Sequence, residues 1–189
     1  MQQIQSPGRG GPEYLVSPSP FETVRHQVLF AHPASGNSAT FLSEAIELAE
    51  LGVQSYLIDF NFERDEDDPA HLRHPEKEVT FRRDCLKKVQ DKAGLLLTLS
   101  QSCRNLTFVG KNFGAFVGGM VAGSDLRFSK FILAAGLPNL TEFYATSDHE
   151  VARAARHGTT EAELEKYRLA TSPLNPTRLL PKTSPGHST

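Results

Sequence analysis

Tryptophan is absent from this sequence, and cysteine and methionine occur only twice each. Two cysteines, Cys85 and Cys103, are too few for a disulfide framework or a metal-binding quartet. No apolar run approaches the roughly 20 residues of a membrane span. Neither sign of charge dominates. The 20 basic and 22 acidic residues leave a formal net charge of −2, and no basic stripe argues for nucleic-acid binding. The first twelve residues lack the basic-then-apolar layout of a secretory signal. Cytoplasmic residence is therefore the default expectation. What remains is a chain of 189 residues, 39% apolar, long enough for one domain with a sizeable core.

Residues 1 to about 20 are rich in Gln, Gly, Pro and Ser, which predicts a flexible arm. An apolar run at 27–31 then predicts a buried strand, ending at His32-Pro33. A helix is expected over about 39–51. Phe41, Leu42, Ala45, Ile46, Leu48 and Ala49 share one face, Ser38 or Thr40 can cap it, and Gly52 can end it with positive φ. Residues 53–60 predict a second buried strand. This strand–helix–strand unit is the signature of a parallel sheet with right-handed crossovers.

The acidic run 63–68 reads as a solvated loop. His71 and His74 lack a placed helix and a third ligand, so no metal site is expected. A long helix follows over about 76–99, with Val79, Leu86, Val89, Ala93 and Leu96 at helical spacing. Strands at 106–109 and 130–135 flank a helix at about 115–122. Beyond them, Ser147 with Glu150 and Thr160 with Glu163 fit capping boxes that open helices over about 148–157 and 161–170. Residues 172–176 form a turn-rich connector, and the polar tail 182–189 is expected to be disordered. The alternation of strands and helices with short connections argues for a doubly wound, mainly parallel α/β sheet.

The most informative segment is Gly110-Lys111-Asn112-Phe113-Gly114, a glycine-flanked turn between a strand and a helix. An acyl-transfer site needs a nucleophile on such a turn, with glycines where neighbouring backbone comes close. It also needs backbone N–H groups aimed at the developing oxyanion. Four features in order resemble the central part of an α/β-hydrolase domain, of the esterase or dienelactone-hydrolase-like kind. These are His32-Pro33-Ala34-Ser35-Gly36 after the first strand, Asp59 ending the next, the Gly110–Gly114 turn, and Ala135-Gly136 followed by the helical pair.

The resemblance implies a nucleophile position at Asn112 and oxyanion-hole donors from Phe113 N–H and from Ala34 or Ser35. It implies a binding region formed by His32, Gly36, Gly110 and Gly114, a lid made by the helical pair, and no cofactor. It implies carboxylic-ester hydrolysis as the family's activity and a small acyl or ester ligand. Three departures stand against that activity. Asn112 has no hydroxyl. The strands whose loops would supply the acid and the histidine are not recognisable; His187 lies in the tail, and Asp148 and His149 sit at a helix start. The opening antiparallel strands are missing or reduced. The expectation is thus an α/β-hydrolase-like core, truncated at both ends, without a complete Ser-His-Asp triad. Its exposed sheet edges could meet a protein partner or a second copy. Residues 28–33 with Ser38 also resemble the flavin phosphate loop of flavodoxin-like quinone reductases, which leaves that class as an alternative.

Overall fold

The computed structural model describes residues 2–4, 11–60, 72–100, 103 and 105–179. Six strands form one sheet: β1 (Gln2–Ile4), β2 (Glu13–Val16), β3 (His26–Ala31), β4 (Val53–Ile58), β5 (Leu106–Lys111) and β6 (Phe128–Ala134). Their spatial order is β1-β2-β4-β3-β5-β6. The last four run parallel, and β1 and β2 pair antiparallel at one edge. The helices are α1 (Leu42–Glu50), α2 (Pro75–Leu99), α3 (Phe113–Ala122), α4 (Leu140–Thr146), α5 (Glu150–Arg156), α6 (Glu161–Thr171) and α7 (Pro176–Leu179).

The period-2 alternation of the strands sorts their side chains onto two faces. Leu29, Ala31, Tyr56, Ile58, Leu106 and Phe108 point to the layer of α2 and α3, among Val89, Leu96, Phe116 and Met120. Val28, Phe30 and Leu57 point the other way, against Ala45 of α1 and the Phe41 ring. Each fully buried Leu or Phe contributes about 1.5–3 kcal/mol. The parallel strands can be apolar along their whole length because both faces are covered.

The expected arm contains structure. Residues 2–4 and 13–16 are strands, so the opening antiparallel pair is present in short form, three and four residues long. Composition missed β2 because its key residue is charged. Glu13 is fully buried and faces Lys88 (2.9 Å), Lys92 (2.8 Å) and the Tyr56 hydroxyl (2.6 Å). All three partners come from β4 and α2, so the strand forms through tertiary contacts.

Burial alone would raise the Glu13 carboxyl. Hydrogen bonds from Lys92, Tyr56 and Lys88 outweigh that and hold it below its ordinary value of 4.5. A depressed folded pKa means the carboxylate's contribution to stability is complete above about 4.5 and is lost as pH falls through the lower folded value. The urea midpoint is therefore expected to drop through that acid range in the native chain. In Glu13→Gln the same titration should be flatter.

Helix ends follow local chemistry, with two shifts. Asn37, rather than Ser38 or Thr40, caps the single 3-10 turn that precedes α1, in a capping box with Thr40. Ser38 instead donates to the Pro12 carbonyl. Gly52 ends α1 at φ 81, as its position predicts. The Thr160–Glu163 capping box opens α6. At α5 the cap is His149, whose Nδ1 accepts the Val151 N–H, while Ser147 accepts from His149 N–H. Helix α4, just after β6, was not anticipated. The acidic run 63–68, His71 and the tail 182–189 lie outside the described residues.

Candidate functional site at the mouth of the sheet

The C-terminal ends of β3, β4, β5 and β6 lie side by side, because these strands are parallel and adjacent. Ligands of open α/β sheets bind outside this end. Among the described residues it carries 32–37 after β3, Asp59 and Phe60 after β4, Asn112 between β5 and α3, and 135–139 after β6.

Asn112 has φ 52 and ψ −113. An L-residue pays of order 1–3 kcal/mol to hold such a sparsely populated conformation, and it persists only where its surroundings over-determine it. They do so here. Asn112 N–H donates to Ala134 O at 2.9 Å, and its carbonyl accepts Phe116 N–H at 3.1 Å. The flanking glycines are required by space. A Cβ on Gly110 would lie 2.4 Å from Gly114 O, and one on Gly114 would lie 2.1 Å from Ala31 O. The turn is therefore packed against its own helix on one side and against β3 on the other. A second residue with positive φ, Ala135 at φ 53, stands one strand away. The sequence marks Ala135-Gly136 as the end of its strand, and the structure adds the positive φ.

The exposed Asn112 side chain turns back on its own helix. Its Oδ1 accepts the Phe113 N–H at 2.8 Å. That N–H was the expected first oxyanion donor, and it is engaged by the residue in front of it. Of the other expected donors, Ala34 and Ser35 are exposed on the 32–37 loop. Gly36 N–H is taken up within the loop by Pro33 O at 3.0 Å.

His32 is buried, and it ties β3 to β4. Its Nε2 accepts Phe60 N–H at 2.9 Å, which places the proton on Nδ1, from which it is donated to Pro33 O at 2.7 Å. Asp59 Oδ1 lies 3.4 Å from the same Nε2, and its Oδ2 accepts Gly11 N–H at 2.7 Å. The pair anchors the loop, with the Phe60 ring 5.5 Å from His32 and 5.9 Å from Phe113. Other described histidines are also engaged locally: His26 with Thr107, His74 with Glu76, and His149 as the α5 cap.

Beneath the turn lies a polar cluster that the sequence reading missed. Arg82 of α2 is fully buried. It donates to Glu78 at 2.8 Å, to Tyr167 OH at 3.2 Å, to Thr171 O at 3.3 Å and to Asn175 Oδ1 at 3.4 Å. Its guanidinium also lies over the Phe116 ring at 5.0 Å. This cluster joins α2 to α6 and to the start of α7. The one available signal was the i, i+4 spacing of Glu78 and Arg82 on the stripe that also carries Cys85 and Val89.

No protein-family profile and no curated protein matches the chain. Solved structures do. The acylaminoacyl peptidase of Pyrococcus horikoshii is similar with a TM-score of 0.54 at 16% identity, over 93% of this chain and 28% of that one. MGS-MChE2, an α/β hydrolase from a metagenome of Mar Chica lagoon sediments in Morocco, gives 0.48 at 11% identity, over 95% and 68%. Thermogutta terrifontis esterase 2 gives 0.47 at 14%, over 89% and 61%. The chain thus spans less than a third of the peptidase it resembles. No helix among the described residues is long and apolar enough to cross a membrane. Strand order, the short antiparallel edge, the strained strand–helix turn and the helices after β6 together give this protein the α/β-hydrolase fold.

Proposed function

We propose that the chain is a non-catalytic α/β-hydrolase-fold protein that uses the mouth of its sheet to bind an ester, acyl or small apolar molecule. One observation carries the reading. The residue in the nucleophile position is an asparagine whose Oδ1 occupies the Phe113 N–H. An amide offers no proton that a base can readily remove and is a weak nucleophile. The N–H that would stabilise an oxyanion is bonded to it. Loss of the serine from a working triad costs about 10⁶ in rate. The engagement of His26, His32, His74 and His149 by Thr107, Phe60 and Pro33, Glu76 and the start of α5 supports the same reading. The two cysteines, Cys85 and Cys103, are both buried, in keeping with a reducing, cytoplasmic setting.

The test is hydrolysis of a short activated ester. Native protein and Asn112→Ala are expected to give the same rate, and Asn112→Ser is expected to add nothing, because a hydroxyl without a base stays protonated. Turnover by the native chain that disappears in Asn112→Ala would instead support the alternative, an active carboxylic-ester hydrolase. A second binding mode is supported by β6, an edge strand of the sheet among the described residues, where Ile132 and Leu133 are 52% and 43% exposed. A protein partner or another copy could pair there.

A further inference from the structure

The geometry at Asn112 points to a site of self-modification. We infer that the fold holds this residue ready to cyclise onto the Phe113 nitrogen and to be converted into an aspartate, or its iso form, through a succinimide. Ring closure joins the nitrogen of the next residue to Cγ, so Cβ and that nitrogen must lie nearly eclipsed about the Cα–C bond. For an L-residue this requires ψ of about −120°, the value at the first central residue of a type II′ turn, which also has φ of about 60°. Asn112 has φ 52 and ψ −113. Ordinary helix and strand conformations lie far from this value, so an asparagine elsewhere must first rotate its backbone into a strained state.

Three contacts keep Asn112 there. Its N–H is held by Ala134 O, its carbonyl by Phe116 N–H, and Gly110 and Gly114 are wedged against backbone. The side chain is also on the correct side. Oδ1 lies 2.8 Å from the Phe113 nitrogen, so Cγ, one bond away from Oδ1, is close to the atom that would attack it. The side chain is exposed, so water can reach the ring once it forms.

The steps balance. A hydroxide ion removes the Phe113 amide proton, and the nitrogen forms a bond to Asn112 Cγ. The bond from Cγ to the side-chain nitrogen breaks, and that nitrogen leaves as ammonia. Water then opens the ring at one of its two carbonyls. Attack at Cγ gives aspartate, and attack at the main-chain carbonyl gives the iso form. The net change is asparagine plus water to a carboxylic acid plus ammonia, with no oxidant or reductant. An aspartate so formed would carry its charge at the N-terminus of α3, where the helix dipole favours an anion.

The experiment compares the native chain, folded and in concentrated urea, incubated in heavy-oxygen water at mildly alkaline pH. Peptides are then analysed by mass spectrometry. In the folded protein the peptide carrying Asn112 is expected to show the amide-to-acid mass gain and one heavy oxygen. Its rate should be about tenfold or more above that of the denatured chain, a gain of about 1.4 kcal/mol from orientation. Asn112→Gln, which would have to close a larger ring, should lose the conversion when folded. A folded chain that converts residue 112 no faster than the denatured chain overturns the inference, as does conversion that persists undiminished in Asn112→Gln. The readout is a mass, so it is independent of whether any ester binds or is hydrolysed.

Discussion

Gly114→Ala is expected to lower stability by about 3 kcal/mol or more. The added Cβ would sit 2.1 Å from Ala31 O, 2.6 Å from the Ala31 carbonyl carbon and 2.9 Å from His32 O. All of these are backbone atoms of the central strand β3 and its exit. They cannot swing away as a side chain would. The strand is fixed on both sides by β4 and β5, so relief requires either α3 to lift from the sheet or the β3 ladder to shift. Either movement also releases the strained Asn112. Native stability is only about 5–15 kcal/mol, so this change removes a large share of it. Urea unfolding of the purified variant measures the effect. Gly94→Ala is the matched control. It lies within α2, and its Cβ would meet only the Arg127 Nη1 tip at 3.3 Å. There the gain in helix propensity should leave stability unchanged or raise it by up to about 1 kcal/mol. Equal losses in the two variants would show that the close approach at the turn has been overstated.

Arg82→Ala is expected to cost about 3–5 kcal/mol, the range for breaking a buried ion pair from one side. The change removes the cation 2.8 Å from the Glu78 carboxylate, whose side chain is only 5% exposed. It also removes the donors shared by Tyr167, Thr171 and Asn175. The buried pair is not by itself a stabilising device. Desolvation offsets much of its attraction, so replacing both members by apolar residues of similar volume often recovers the loss. The double variant Arg82→Met with Glu78→Leu is therefore expected to be clearly more stable than Arg82→Ala alone. Additive losses in the pair would show that the two residues act independently. Hydrogen exchange adds a spatial readout. In Arg82→Ala, α6 should lose more protection than β3 or β5, because Arg82 is where α2 grips that helix.

Both changes act near the same turn, since the Arg82 guanidinium lies over the Phe116 ring of α3. Gly114 sets how closely α3 approaches the sheet. Arg82 sets how the later helices are held against α2, whose Phe81 ring stacks on Phe113 at 5.5 Å. A strained residue at 112 needs both supports, since strain persists only where the surroundings leave no easier conformation.

Much of this architecture was legible in the sequence because it rests on local chemistry. The apolar runs at 27–31, 53–60, 106–109 and 130–135 became β3 to β6 within a few residues. The periodic positions Val89, Ala93 and Leu96 are buried on α2, and Gly52 stops α1. The strand–glycine–helix pattern around Asn112 marked the turn, since only glycines leave room for backbone at such distances. Each of these is a short-range statement about periodicity, capping or space, and neighbouring residues suffice to make it.

The remainder depended on residues far apart in the chain. Glu13 makes a strand of an expected arm because Lys88 and Lys92 reach it from a helix more than seventy residues later. His32 is an anchor because Phe60 N–H and Pro33 O claim its two nitrogens. Arg82 lies inside because α6 and the start of α7 bring it acceptors that no window of α2 contains. Burying a charge is costly unless partners compensate it, and partners from distant segments exist only once the chain has folded. The sequence by itself therefore determined where the turn lies and that its centre is an asparagine. Only the tertiary structure decided the conformation that asparagine is held in, and that its side chain occupies the Phe113 N–H.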